Sequence, residues 1–159
     1  MFFLKKKRNL CAVCDGRVMP LSEMPDEAFS SGILGIGYAI EPHSDRICSP
    51  VCGVVDSVAE AKHAYTIQSE DGLDILVHIG VDTVGLKGDG FLPLVKAGDR
   101  VRTGEPIAKV DYDVIRAHKL CTYTAVLIGN PACAENMEYQ YGEAKQGDPV
   151  VRFRLAGKE

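Results

Sequence analysis

No stretch of these 159 residues approaches the length that a helix needs to cross a membrane. The opening Met1-Phe2-Phe3-Leu4 is too short for a signal peptide, and its apolar part precedes the charges Lys5-Lys6-Lys7-Arg8. It reads as a solubilising tail, with weak anchoring to a membrane surface as the alternative. A basic excess is missing too. The 18 Lys and Arg against 22 Asp and Glu leave a net charge of -4, the wrong sign for a general nucleic-acid binder. No linker or low-complexity run divides the chain. Residues 1–10 therefore read as a tail and 11–159 as one domain, long enough to bury a core. The missing span and signal predict a cytoplasmic protein, and a monomer is expected.

Helical signals are scarce as well, confined to the stretches around Pro25–Ser31, Leu92–Ala97 and Asp113–Lys119. What the chain has instead is 16 glycines punctuating short β-branched runs. Strands are expected at 11–19, 37–41, 46–48, 51–58, 63–69, 73–79, 100–102, 106–110, 122–128 and 150–155. The pattern implies an all-β protein, an antiparallel β-sandwich or barrel with a few short helical turns. A faint internal repeat aligns Ala12–Val18 with Ser49–Val55, hinting at two related halves.

Six cysteines in a cytosolic chain should be reduced thiols. Cys11-x2-Cys14 and Cys48-x3-Cys52 have spacings that can close a structural zinc site. Against that, Cys14 and Cys52 lie in similar glycine-flanked strand contexts and read as small buried fillers. Cys121 and Cys133 read as packing.

Only four histidines are present, and two of them bracket a hairpin signal. The runs 63–69 and 73–79 lack proline and meet at Asp71-Gly72, a strong two-residue turn sequence. With those two residues as the loop, Glu70 opposes Leu73, His78 opposes Tyr65 and His63 opposes Gly80. His63 and His78 are then same-face diagonal neighbours, roughly 7–8 Å apart at the backbone and within reach of one small group. His43, in Pro42-His43-Ser44-Asp45, and His118 read as solvated.

Longer blocks carry a resemblance. They run from Asp15-Gly16 and Asp26-x2-Phe29 through Gly35-x-Gly37-x-Ala39-Ile40-x-Pro42, Pro50-Val51-x-Gly53 and Lys62-His63-Ala64-Tyr65. The most specific is His78-Ile79-Gly80-Val81-Asp82-Thr83-Val84-x-Leu86-x-Gly88-x-Gly90-Phe91. Gly98-Asp99-x-Val101-x3-Gly104, Asp111 and Thr124–Asn130 follow in order. From Ala12 to Leu155 the chain resembles the glucose-type enzyme IIA of the bacterial phosphotransferase system. The resemblance implies a sandwich of the duplicated-hybrid type, in which His78 carries a phosphoryl group. That group would come from the phosphohistidine of the carrier protein HPr and pass to a cysteine of a sugar-specific IIB domain. His63 maps to the partner histidine that bonds the phosphoryl oxygens. No cofactor is implied, and contact with a membrane would come only through the permease. Two departures stand out. The residue two before the partner histidine, often Thr, is Ala61 here. Ile36 stands where some members carry an acid, which leaves Asp82 as the better candidate to meet a cationic partner.

Imidazole suits such a relay, because it titrates near neutrality and offers a nucleophilic nitrogen without an unusual pKa. Gly80 supplies a carbonyl that can hold the other ring nitrogen of His78. Asp82 reads equally as a turn residue. Ile36, Tyr38, Leu76, Val84 and Phe91 can form an apolar docking patch for HPr and IIB, or simply core. The competing function is a zinc hydrolase using His63, His78 and Asp82, although no His-x-His or His-Glu-x-x-His arrangement supports it. A third is a carrier module, suggested by the turn rhythm of Lys96–Ile107 but lacking the lysine tip of biotinyl or lipoyl domains.

Overall fold

A computed structural model describes residues 7–156. The tail sequence Met1–Leu4 and its surface-anchor reading lie outside the described residues. Along the chain run β1 (Lys7–Cys11), β2 (Gly16–Pro20), a one-turn α1 (Glu27–Ser30), β3 (Ile36–Pro42) and β4 (Arg46–Cys48). Next come β5 (Gly53–Val58), β6 (Ala64–Ser69), β7 (Asp74–Ile79), β8 (Phe91–Pro93), β9 (Arg100–Val101) and β10 (Pro106–Val110). The chain closes with α2 (Tyr112–Ala117), β11 (Thr124–Ile128), β12 (Ala134–Tyr139), β13 (Gly142–Ala144) and β14 (Pro149–Leu155). All pairings are antiparallel, in one eight-stranded sheet ordered β13-β2-β3-β11-β7-β6-β5-β9 and two three-stranded sheets, β1-β14-β12 and β4-β10-β8.

Alternation sorts the large sheet into two faces. Tyr38, Ile40, Tyr65, Ile67, Ile75, Val77, Ile79, Val126 and Ile128 point into the main core, where they meet Leu10, Ile47, Ile107, Val151 and Phe153 of the smaller sheets. The opposite face carries a second cluster of Met19, Ala39, Ala125 and Leu127, capped by Met24, Phe29 and Val81. The two segments of the faint repeat come close at one end. Their starts adjoin: Cys11 N–H, just before the first, donates to the Pro50 carbonyl, and Cys48 N–H, just before the second, donates to the Val13 carbonyl.

The structure corrects several expectations. Residues 7–10, expected to belong to the tail, form most of β1, because the buried Leu10 and pairing with β14 hold them. The strand expected at 11–19 breaks after Cys11, where Ala12–Asp15 turn between sheets. Leu92–Ala97 is not helical: β8 pairs with β10, and Leu94 N–H donates to the Ile107 carbonyl, which commits the backbone to extended pairing. The short strands β12 and β13, not foreseen, pair with β14 and β2.

The hairpin register is also off by one. Ser69 opposes Leu73, so three residues, Glu70-Asp71-Gly72, form the loop. A two-residue turn would need positive φ at both Asp71 and Gly72, and only Gly72 adopts it, at 83°. The Ser69 hydroxyl accepts from the amides of Asp71 and Leu73, which stabilises the longer loop. Asn130 clamps it further by accepting from Asp74 N–H and donating to the Gly72 carbonyl. Consequently His78 opposes Ala64 and not Tyr65, and His63 opposes Ile79 and not Gly80.

Candidate functional site

His78 stands on the outer face of β7, next to last in the strand. Across the sheet its row runs Ala64, His78, Ala125, Ala39 and Met19. Alanines on both flanks leave space around the imidazole, and Phe29 from α1 fills part of it, with ring centroids 4.8 Å apart. The corrected register alone would turn His63 toward the core. His63, however, precedes β6, and Lys62 takes a left-handed φ of 66°, so the pleat does not continue to it. Its ring turns out to meet His78 edge-on, with centroids 5.0 Å apart and planes at 87°. The two imidazoles therefore converge as expected, through a backbone bend and not through the diagonal pairing.

His78 Nδ1 lies 2.9 Å from the carbonyl oxygen of Gly80. A carbonyl only accepts, so this contact places the proton on Nδ1 and leaves the Nε2 lone pair free. Burial lowers the pKa of His78, and His63 lowers it further; the Gly80 bond and the carboxylates of Asp26 and Asp82 act in the opposite direction. His63, only 8% exposed, is also held below the ordinary value by burial. Both rings are thus biased toward the neutral form. Nδ1 of His63 has no hydrogen-bond partner among the described residues, in keeping with an alanine at position 61.

Of the proposed docking residues, Leu76 shares the His78 face and packs against the second cluster, and Val84 is 59% exposed just beyond β7. Asp82 is exposed and near enough to act on His78. Tyr38 and Phe91 do not belong to such a surface. Tyr38 is fully buried in the main core, its hydroxyl donating to the Cys11 carbonyl, and Phe91 is buried in the same core. Ile36 shares the parity of Tyr38 and packs on the core side of the sheet. Sequence reasoning did not assign Asp26 and Phe29 to the site. Asp26 caps α1 by accepting from Ala28 N–H, which seats Phe29 over His78. The helix signal at 25–31 and the Asp26-x2-Phe29 block were the available clues.

No three His, Cys, Asp or Glu side chains among the described residues converge as a metal-ligating group. The zinc-hydrolase reading of His63, His78 and Asp82 therefore has no support, and neither has a cysteine-bound zinc. Cys14 is buried as expected, but Cys52 is half-exposed, its sulfur lying 3.6 Å from the Thr103 hydroxyl. Cys121 and Cys133 pack at the edges of the two clusters. His43 sits between Glu41 and Glu143 at 3.5 Å each, and His118 ends α2; both are exposed.

With this geometry in view, comparison with known proteins gives a consistent answer. Residues 8–133 match the family model "phosphoenolpyruvate-dependent sugar phosphotransferase system, EIIA 1". The chain is 35% identical to the glucose-specific EIIA component of Buchnera aphidicola over 150 residues, 94% of this chain and 93% of that protein. It is 41% identical over 136 residues to the glucose-specific EIICBA component of Staphylococcus carnosus, covering 86% of this chain but only 20% of the relative's length. The solved glucose permease IIA from Mycoplasma capricolum superposes with a TM-score of 0.88 at 34% identity, covering 96% of this chain and 99% of that one. These matches, on a β-sandwich that brings two imidazoles together, define the class, a phosphotransferase component. The chain belongs to the EIIA family of the phosphoenolpyruvate-dependent sugar phosphotransferase system.

Proposed function

We propose that the protein is a cytoplasmic phosphocarrier in which His78 Nε2 takes a phosphoryl group from the phosphohistidine of HPr and gives it to the cysteine of a IIB domain. The Nδ1 contact to Gly80 carries this reading, because it leaves Nε2 as the nucleophile. In the first step the N–P bond on HPr breaks as the bond to Nε2 forms. In the second a IIB thiolate attacks phosphorus and the Nε2–P bond breaks. Such transfers run through a loose transition state, so positioning and charge stabilisation are the protein's main contributions. His63 stands edge-on to His78 and donates a hydrogen bond to the phosphoryl oxygens. Asp82 and Asp26 supply negative charge around His78, and Leu76 and Val84 supply apolar surface for the visiting partners. Incubation with phosphoenolpyruvate, enzyme I and HPr tests the proposal. The expected product is an acid-labile phosphoprotein, absent in His78→Gln; a folded His78→Gln variant that still labels would overturn it.

A further inference from the structure

Just beyond β7 the backbone that serves His78 is held by the side chain of Thr83. Thr83 is fully buried and donates its hydroxyl to the carbonyl of Ile79. The same peptide group is fixed at its other end, where Gly80 N–H donates to the Tyr123 carbonyl at 3.0 Å. The next peptide group carries the Gly80 carbonyl that faces His78 Nδ1, and its Val81 N–H donates to Cys121 at 3.0 Å. Gly80 takes a φ of +76°, and a Cβ there would collide with Cγ2 of Thr83. Thr83 therefore packs its methyl where Gly80 has no side chain and aims its hydroxyl one residue back.

The Thr83 bond also touches the second histidine. Ile79 N–H donates to the His63 carbonyl at 2.8 Å. In a regular antiparallel ladder, paired residues of this type exchange two bonds. At Ile79 one goes to His63 and the Thr83 hydroxyl takes the carbonyl. This arrangement lies where His63 has left the strand and turned its ring to His78.

We infer that Thr83 is a positioning residue for phosphotransfer: by fixing the Ile79–Gly80 peptide it aims the Gly80 carbonyl at His78 Nδ1 and holds the ring in the tautomer with Nε2 free. The inference rests on the functional reading above for its kinetic consequence, but not for its structural one. Removing the hydroxyl leaves a buried carbonyl without this partner, which favours rotation of the peptide and releases Nδ1.

The test is nitrogen NMR of the His78 ring in uniformly 15N-labelled protein, together with the initial rate of labelling by phospho-HPr. Wild type is expected to show the proton on Nδ1. Thr83→Val, close in volume, should mix the tautomers and slow labelling about five- to tenfold, the scale of one lost hydrogen bond. Thr83→Ser should restore both. Should Thr83→Val fail to fold, Thr83→Cys, with a weaker donor, is read in the same way. An unchanged tautomer in the folded variant overturns the inference. So does an unchanged rate when wild type labels, or a Thr83→Ser protein as impaired as Thr83→Val. If wild type itself takes no phosphoryl group, the functional reading fails, whereas the tautomer measurement still decides the role of Thr83.

Discussion

At the scale of single residues, the proposed site consists of two imidazoles whose pKa values burial lowers. In the proposed relay the neutral form is the nucleophile, and the pKa of His78 is lowered from its ordinary 6.5. Labelling by phospho-HPr should therefore hold steady as pH falls to about 6.5 and decline only below it. Asp82 raises the His78 pKa, so Asp82→Asn should move that decline to lower pH, and comparing variant with wild type cancels titration of the partners. Stability follows the same sign. Between the folded values and 6.5 the unfolded chain binds more protons at both histidines, so stability is full above 6.5 and falls as pH drops through that window. Denaturant titrations across the range check this, and His63→Gln should flatten the slope. The proposal gives His63 a second part to play. Removing one preorganised donor to a charged transition state costs on the order of 100-fold, so His63→Ala should reduce phosphoryl flux from HPr to IIB by about that factor. Flux equal to wild type in the folded variant would deny His63 its role.

At the scale of elements, two glycines separate stability from function. Gly72 in the β6–β7 loop has a φ of +83°, and a methyl group added there would meet nothing within 4 Å, so Gly72→Ala should cost only about 1 kcal/mol of conformational energy. Gly80→Ala adds a clash with Thr83 to the same left-handed strain and should lose phosphorylation as well as stability. Melting temperature and labelling rate, measured together on each variant, distinguish the two outcomes. The same hairpin shows how far the fold is legible in the chain alone. Its two strands and the position of its turn are readable from local pattern, whereas the pairing read from the sequence brings the histidines together for a different reason from the one the structure shows. The register is not readable, because Asp-Gly suits a two-residue turn while the three-residue loop depends on Ser69 and the distant Asn130. His63 meets His78 only because Lys62 bends the chain, and positive φ at a lysine has no sequence signature. Tyr38 and Phe91 read in the sequence as either docking surface or core, because an apolar side chain near a motif looks the same in either place. Packing against the other sheets decides it.

At the scale of the whole molecule, the two faces of the large sheet divide the labour, with the histidines outside and the main core inside. β1 belongs wholly to the second task. Its Leu10 is fully buried and pairs with Val151 of β14, while Arg8 reaches Asp71 in the hairpin loop at 2.7 Å. The first strand is thus tied to the loop between β6 and β7. The tie is unequal in its parts. Leu10→Ala removes packed methyl groups from a closed core and should destabilise by about 2–5 kcal/mol. Arg8→Ala breaks an ion pair that water reaches and should cost less than about 1 kcal/mol. Denaturant unfolding ranks the two, and equal losses would mean that β1 is held by its charge and not by its burial. Because Leu10 packs on the core side of the sheet and His78 stands on the other, the labelling rate of folded Leu10→Ala should match wild type. A slower rate would show that the two faces are coupled, and that the site depends on the core behind it as well as on its own hydrogen bonds.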